Sequence, residues 1–210
     1  MKIETDPKIT AVLAARVEQE NWRFRSYLKM TERPSHEIDA IVHRLYRAVS
    51  AKIDCRACRN CCRGTLPIVD DKQIAAMARG LDMPEDDFRA RYIEKAEGGF
   101  SGEFTFNADP CPMLDGGDCR VEACQPEDCR SFPHIQKDEF VFRLRSVVHN
   151  TLICPIVYNV VELLKNELRY DDREAREIQS AWGIWDDDDD EMWDDDALWD
   201  EDALDEKPKE

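Results

Sequence analysis

The sequence predicts a mainly α fold with a few short strands: a small, irregular α+β domain built around two cysteine loops. Three observations carry this. Apolar residues recur at helical spacing over residues 7–51 and again from Ile156 to Trp182. Strand-like runs are brief. Most of the cysteines crowd into two stretches, residues 55–62 and 111–129, that have no period at all.

Taken in order, Asp6 is a cap and Pro7 suits a first helical position, which predicts a helix over residues 7–30. Ile9, Leu13, Val17, Phe24 and Leu28 form its apolar stripe, and TERPS ends it. A second helix runs from Ser35, as cap, to Ala51, with Ile38, Ile41, Val42, Leu45, Tyr46 and Val49 at helical spacing. It delivers the chain into the first cysteine loop. Leu66–Val69 reads as a short strand. Asp70 caps a helix ending near Gly80, and Pro84 starts another that reaches about Ala96. GGFSGEFTF reads as a turn and a brief strand. Residues 107–134 hold too few apolar side chains to order themselves by packing, so something else must order them. Glu139–Val148 alternates as a strand does, and Ile156–Trp182 is helical with a kink at Tyr170 to Asp172.

The net charge of −17 is unevenly spread. Residues 183–210 hold 15 acidic residues against two lysines, a net of −13, which leaves −4 for the rest. Neither part has the basic footprint of a nucleic-acid binder. The most apolar stretch, TLICPIVYNVVELL, falls short of the ~20 residues that span a bilayer. The expected setting is cytoplasmic, where thiols stay reduced and clustered cysteines bind metal or do redox chemistry. Three regions follow: an N-terminal helical segment (1–54), a cysteine-cluster domain packed on helices (55–182), and a disordered acidic tail (183–210).

CRACRNCCRG puts Cys55, Cys58, Cys61 and Cys62 into eight positions, three of them in CxxCxxC spacing. Two residues between cysteines let a tight turn aim both sulfurs at one point. Extending this to three ligands from one loop favours a site closed by a distant cysteine, as in ferredoxin-type [4Fe-4S] binding. Separated CxxC pairs are more typical of structural zinc. Cys61 and Cys62 are neighbours, so they serve two centres or leave one thiol spare. Cys111, Cys119, Cys124 and Cys129 form a second cluster, and Cys154 precedes Pro155. Buried cysteines often act as small hydrophobes, a reading that suits Cys124 and competes at Cys154 but fits poorly for four thiols flanked by charge. Arg56, Arg59 and Arg63 are placed to offset thiolate charge. Of the histidines, His36 and His43 fall on the exposed side of a helix, and His134 stands nearest the cysteines.

These segments, CRACRNCCRG then CPMLDGGDC then QPEDCRSFP, resemble the CxxCxxCC, or YkgJ-like cysteine-cluster, family of zinc- or iron-chelating proteins, over Cys55 to His134 with Cys154 as a last element. The resemblance implies Cys55, Cys58, Cys61, Cys62, Cys111, Cys119, Cys129 and Cys154 as metal ligands. Gln125 stands where the family usually has Arg, Glu122 where an aromatic is common, and Cys124 has no counterpart.

The leading expectation is a metal-binding protein, with iron, including an iron–sulfur cluster, favoured over zinc by the spacing and the shortage of histidine. The resemblance extends to flagellin lysine N-methylases, which makes a protein-lysine N-methyltransferase-like enzyme an alternative, although no Gly-rich cofactor fingerprint is present. A thiol redox or metal-trafficking protein is another, with Cys62 or Cys124 as the exchangeable thiol. In the tail, Trp182, Trp185, Trp193 and Trp199 set among aspartates suggest docking to a protein partner with a basic groove.

Overall fold

The structure, a computed structural model, describes residues 2–96 and 103–182. The acidic tail (183–210) and the GGFSG turn (98–102) lie outside the described residues. The elements are α1 (Pro7–Arg16), α2 (Glu18–Met30), α3 (Ser35–Ser50), α4 (Cys55–Cys58), α5 (Asp71–Gly80), α6 (Glu85–Tyr92), β1 (Ile93–Lys95), β2 (Phe104–Phe106), β3 (Leu114–Asp115), β4 (Asp118–Cys119), α7 (Glu127–Ser131), α8 (Leu144–Ile153), α9 (Pro155–Glu167) and α10 (Asp172–Trp182). Residues 1–170 form one compact unit. A second unit begins at Asp171; its α10 carries an Arg176–Asp172 ion pair one turn apart.

The predicted first helix is two. At Val17 the backbone leaves helical geometry (φ −113°, ψ 16°), and its N–H closes a tight turn on the Ala14 carbonyl at 3.1 Å. The buried face of α1 also differs from the expected stripe: Thr10 and Ala14 are buried while Ile9 is exposed. The small side chains let α1 pack against α8 and α9, and the Thr10 hydroxyl is satisfied by the Asp6 and Pro7 carbonyls at 3.1 Å each. In α3 the cap is Pro34 rather than Ser35, whose hydroxyl is buried without a partner.

Phe24, Leu28, Ile38, Val42, Leu45 and Val49 from α2 and α3 meet Val157, Val160, Val161 and Leu164 of α9 in the larger of two apolar cores. Lys165, with 6% of its side chain exposed, is neutralised there by Glu20 at 2.9 Å and Glu162 at 2.7 Å. The smaller core joins Ile74, Met77 and Ala78 of α5, Phe88 and Tyr92 of α6, and Phe106 of β2. Asp70 builds a complete capping box with Gln73 at the start of α5.

Three strand expectations are revised. Residues 139–148 are not a strand but a 3-10 turn (Phe140–Arg143) leading into α8. The cause is tertiary: the buried Asp39 carboxylate of α3 accepts the Glu139 and Phe140 N–H groups at 2.9 Å each, capping the segment as a helix start. Residues 66–69 pair through Val69 alone, which exchanges hydrogen bonds with Phe104 at 2.8 and 2.9 Å. Pro67 has no N–H to extend that ladder. The helix expected to reach Ala96 stops at Tyr92, because Ile93–Lys95 pair with Phe104–Phe106 as an antiparallel ribbon. The expected break between the last two helices is present, as α9 ends at Glu167 and α10 begins at Asp172. Among the described residues no single helix is long and apolar enough to cross a membrane.

Candidate metal centre

α3 ends at Ser50, and Ile53 anchors the chain in the larger core before the first cysteine loop starts. Asp54 caps the loop by accepting the Arg56 N–H at 2.9 Å, and Cys55–Cys58 make one helical turn. Arg59 then takes the left-handed conformation (φ 47°), which a non-glycine residue adopts at a cost of roughly 1 kcal/mol. This reverses the chain into a 3-10 turn over Cys61–Arg63, closed by Gly64 and Thr65 N–H groups on the Cys61 carbonyl at 3.3 and 3.0 Å. Asn60 fixes the loop from the side, donating to the Ile153 carbonyl at 2.6 Å.

The second loop is ordered partly by packing, more than its composition suggested. Met113 and Val121, both deeply buried, peg it into the smaller core. Between them, β3 and β4 form a two-residue hairpin in which Gly116 (φ 58°) and Gly117 (φ 110°) supply the two positive-φ positions. Cys119 is thereby set across from Leu114. Glu127–Ser131 carry Cys129 on a short helix, pinned to the first half of the domain by the Ile68 N–H, which donates to Asp128 at 3.1 Å.

The two loops meet. Cys111 donates its backbone N–H to the Cys62 carbonyl at 3.0 Å. Glu122 then spans the junction, its carboxylate 3.0 Å from Arg56 Nε and 3.6 Å from Arg59 Nη2. Glu122, one of the two departures from the family pattern, is thus a strut between the cysteine loops. Arg59 is 9% exposed at its side chain, and its Nε has no acceptor.

All nine cysteines are free thiols. Burial pushes the Cys111 thiol up to about 11, with Cys62 and Cys119 adding to the effect. Burial likewise holds Cys154 at about 12, with Cys55 and Cys58 as its charged neighbours. Cys129 is pushed up by burial and then by Cys111, Cys62 and Cys119, although its exposed surface lets water moderate the effect. Cys61 and Cys62 hydrogen-bond to each other, which raises Cys61 and lowers Cys62; Arg59 and Arg63 add to the lowering. A crowd of thiols that disfavour one another's ionisation is a donor set that a cation would reverse.

Among the described residues, no group of three or more Cys, His, Asp or Glu side chains is placed to hold a metal ion. Cys154 is buried in the larger core, while Cys111 and Cys119 pack on the smaller one. Cys124 packs there too, its sulfur against Gly80, where a Cβ would lie 2.5 Å away, so its environment is that of a core side chain. His134 Nδ1 lies 3.0 Å from Ser131 Oγ, while Nε2 stands 3.6 Å from Asp128, beyond hydrogen-bond reach. Ser131 spends its own proton on the Glu127 carbonyl, so the imidazole is the donor between them. Sequence reasoning missed Asn60, Glu122 and Asp128 as supports; their partners lie 93, about 60 and 60 residues away, beyond any local pattern.

No curated protein matches the chain, and no solved structure does. Residues 54–147 match the model of the CxxCxxCC family, described as a "putative zinc- or iron-chelating domain". That span runs from Asp54, the cap of the first loop, through the second loop into α8. Both cysteine loops lie inside the matched span.

Proposed function

We propose that this protein chelates iron or zinc through the thiolates of Cys55, Cys58, Cys61, Cys62, Cys111, Cys119, Cys129 and Cys154. The carrying observation is the junction of the loops, where the Cys111 N–H meets the Cys62 carbonyl at 3.0 Å. That contact brings cysteines 49 residues apart in sequence to one place. The donor chemistry fits: soft thiolates select zinc and iron–sulfur centres over hard cations. The buried, partly unpartnered Arg59 supplies a fixed positive charge beside them.

When bound, the metal would hold the thiols ionised. The chain's own contribution is to fix the loops with Asp54, Asn60 and Glu122 and to offset thiolate charge with Arg56, Arg59 and Arg63. Closing the thiols on a metal couples binding to the order of the second loop, which Met113 and Val121 hold only in part. The finer reading is iron, in an iron–sulfur cluster, supported by the CxxCxxC spacing and by the shortage of histidine. A reducing compartment such as the cytoplasm suits it.

The test is anaerobic purification followed by visible spectroscopy and elemental analysis. Iron with cluster absorption is the expected result. A colourless protein with stoichiometric zinc refutes the cluster, and neither metal refutes chelation. The same preparation addresses the alternatives: lysine methylation requires S-adenosylmethionine binding by calorimetry, and thiol exchange or metal trafficking requires a reactive thiol in the loaded protein. The acidic tail is read as a docking segment for a protein partner, apart from the metal chemistry, so its deletion should leave metal content unchanged.

A further inference from the structure

A cleft of about 230 Å³ opens between the turn that follows α7 and one face of α8, and no cysteine lines it. One wall carries His134 and Lys137. The other carries Arg143, Ser146, Val147 and Asn150, whose spacing of three, four and seven positions is that of a single helix face continued from the 3-10 turn into α8. The cleft is smaller than the ~300–1,000 Å³ typical of sites for drug-sized ligands, which suits a small one.

Its charge is positive and held in place. Arg143 donates to the backbone carbonyls of Lys137 at 2.6 Å, His134 at 3.4 Å and Asp138. These acceptors are neutral, so they fix the guanidinium at the cleft without cancelling its charge. Lys137 has neither a hydrogen-bond nor a carboxylate partner among the described residues, and the side chains of Ser146 and Asn150 are also without one. The acids nearby are engaged. Glu127 pairs with Arg130 at 2.6 Å, and Asp128, on the lining itself, accepts the Ile68 N–H at 3.1 Å. Asp138 stands 3.8 Å from His43. Burial holds the His134 imidazole below its ordinary value, and Lys137 and Arg143 add to the effect against Asp128.

We propose that this cleft binds a phosphate group, either the free ion or one carried on a small molecule. Lys137 supplies the direct cation, the Ser146 hydroxyl and the Asn150 amide donate from the facing wall, and Arg143 stands behind them as fixed charge. Donors on facing walls call for acceptor oxygens in several directions. A tetrahedral phosphate presents them, whereas a carboxylate offers two in one plane. Arg143 spends its Nη groups on carbonyls, which removes the two-pronged contact that matches a planar carboxylate; an ammonium is a point charge that suits phosphate. The site goes beyond metal chelation and does not depend on it.

Isothermal titration calorimetry of the full-length protein, with inorganic phosphate and separately with glycerol 3-phosphate, decides the matter. Binding that weakens as salt is raised is expected. Lys137→Gln should weaken it about tenfold or more, and Ser146→Ala and Asn150→Ala several-fold each. Lys137 and Ser146 are exposed, so their variants probe binding without threatening the fold. Lys72→Gln, an exposed cation of α5 outside the cleft, should leave affinity unchanged. A preference for either probe supports the proposal and tells the free ion from the phosphorylated molecule. No binding of either up to about 10 mM overturns it. So does unchanged affinity in Lys137→Gln, or an equal loss in Lys72→Gln, which would mean a diffuse effect of charge. Loss of bound metal together with phosphate binding in Lys137→Gln also overturns it, since the phosphate would then follow the metal.

Discussion

Replacing Asp39 by alanine should destabilise the domain by removing the feature that makes residues 139–148 helical. Asp39 is buried on α3, and its two carboxylate oxygens accept the Glu139 and Phe140 N–H groups, each at 2.9 Å. Hydrogen bonds to a charged acceptor contribute ~1.5–3 kcal/mol each. The two share one carboxylate, so their loss is less than additive, and the Phe140 N–H is left buried without an acceptor. We expect a cost of ~3–4 kcal/mol, a large share of the stability of an ordinary domain. At ~2–4 °C per kcal/mol for a chain of this size, the melting point should fall by roughly 6–16 °C. Asp39→Asn keeps one acceptor and turns an amide donor toward the second N–H, so about half the loss is expected. The assay is urea unfolding of metal-free protein followed by far-UV circular dichroism, with the midpoint and slope read separately. A loss below ~1 kcal/mol for Asp39→Ala would refute the capping argument. Because α8 runs directly into Cys154, the same variant should also weaken metal retention.

Gly80→Ala should cost ~1–3 kcal/mol despite alanine's better helix propensity, since its Cβ would lie 2.5 Å from the Cys124 sulfur. Adding Cys124→Ala should recover most of that loss, and strict additivity in the double-mutant cycle would contradict the contact; Cys124→Ala alone should leave metal content intact. Lys165→Met, which strands Glu20 and Glu162 without their shared cation, should cost ~2 kcal/mol in chemical denaturation, and an equally stable variant would show the pair to be dispensable. In metal-free protein the Cys154 thiol, held at about 12 against an ordinary 9.0, stays protonated where the unfolded chain has already ionised. Stability should therefore fall as pH rises from about 9 toward 12, by up to ~1.4 kcal/mol per unit from this group. Unfolding midpoints for Cys154→Ala should show a flatter slope over that window, and an unchanged slope would discount Cys154 as the source.

The two cysteine loops were legible because they are local features of the sequence. CxxCxxCC spacing needs no tertiary context to read as a metal loop, and the resemblance of residues 55–134 to a chelating family agrees with the domain match. Helical periodicity likewise located most of α3 and α9, since their cores are one-sided stripes. The errors share a cause. Glu139–Val148 alternates like a strand, but a carboxylate 100 residues earlier captures its leading N–H groups and makes it helical. Ile9 looks like core and is exposed, because close packing on α8 and α9 favours the smaller Thr10 and Ala14.

What the sequence by itself determined was the number and kind of thiols, the loops that carry them, and the helices that deliver them. Which cysteines keep company was decided by tertiary structure alone. Arg59's reversal, the meeting of Cys111 with Cys62, and the burial of Cys154 beside the first loop depend on contacts between residues 49 to about 100 positions apart. No spacing rule reaches that far, because loop closure over such distances is settled by the two cores that the loops join.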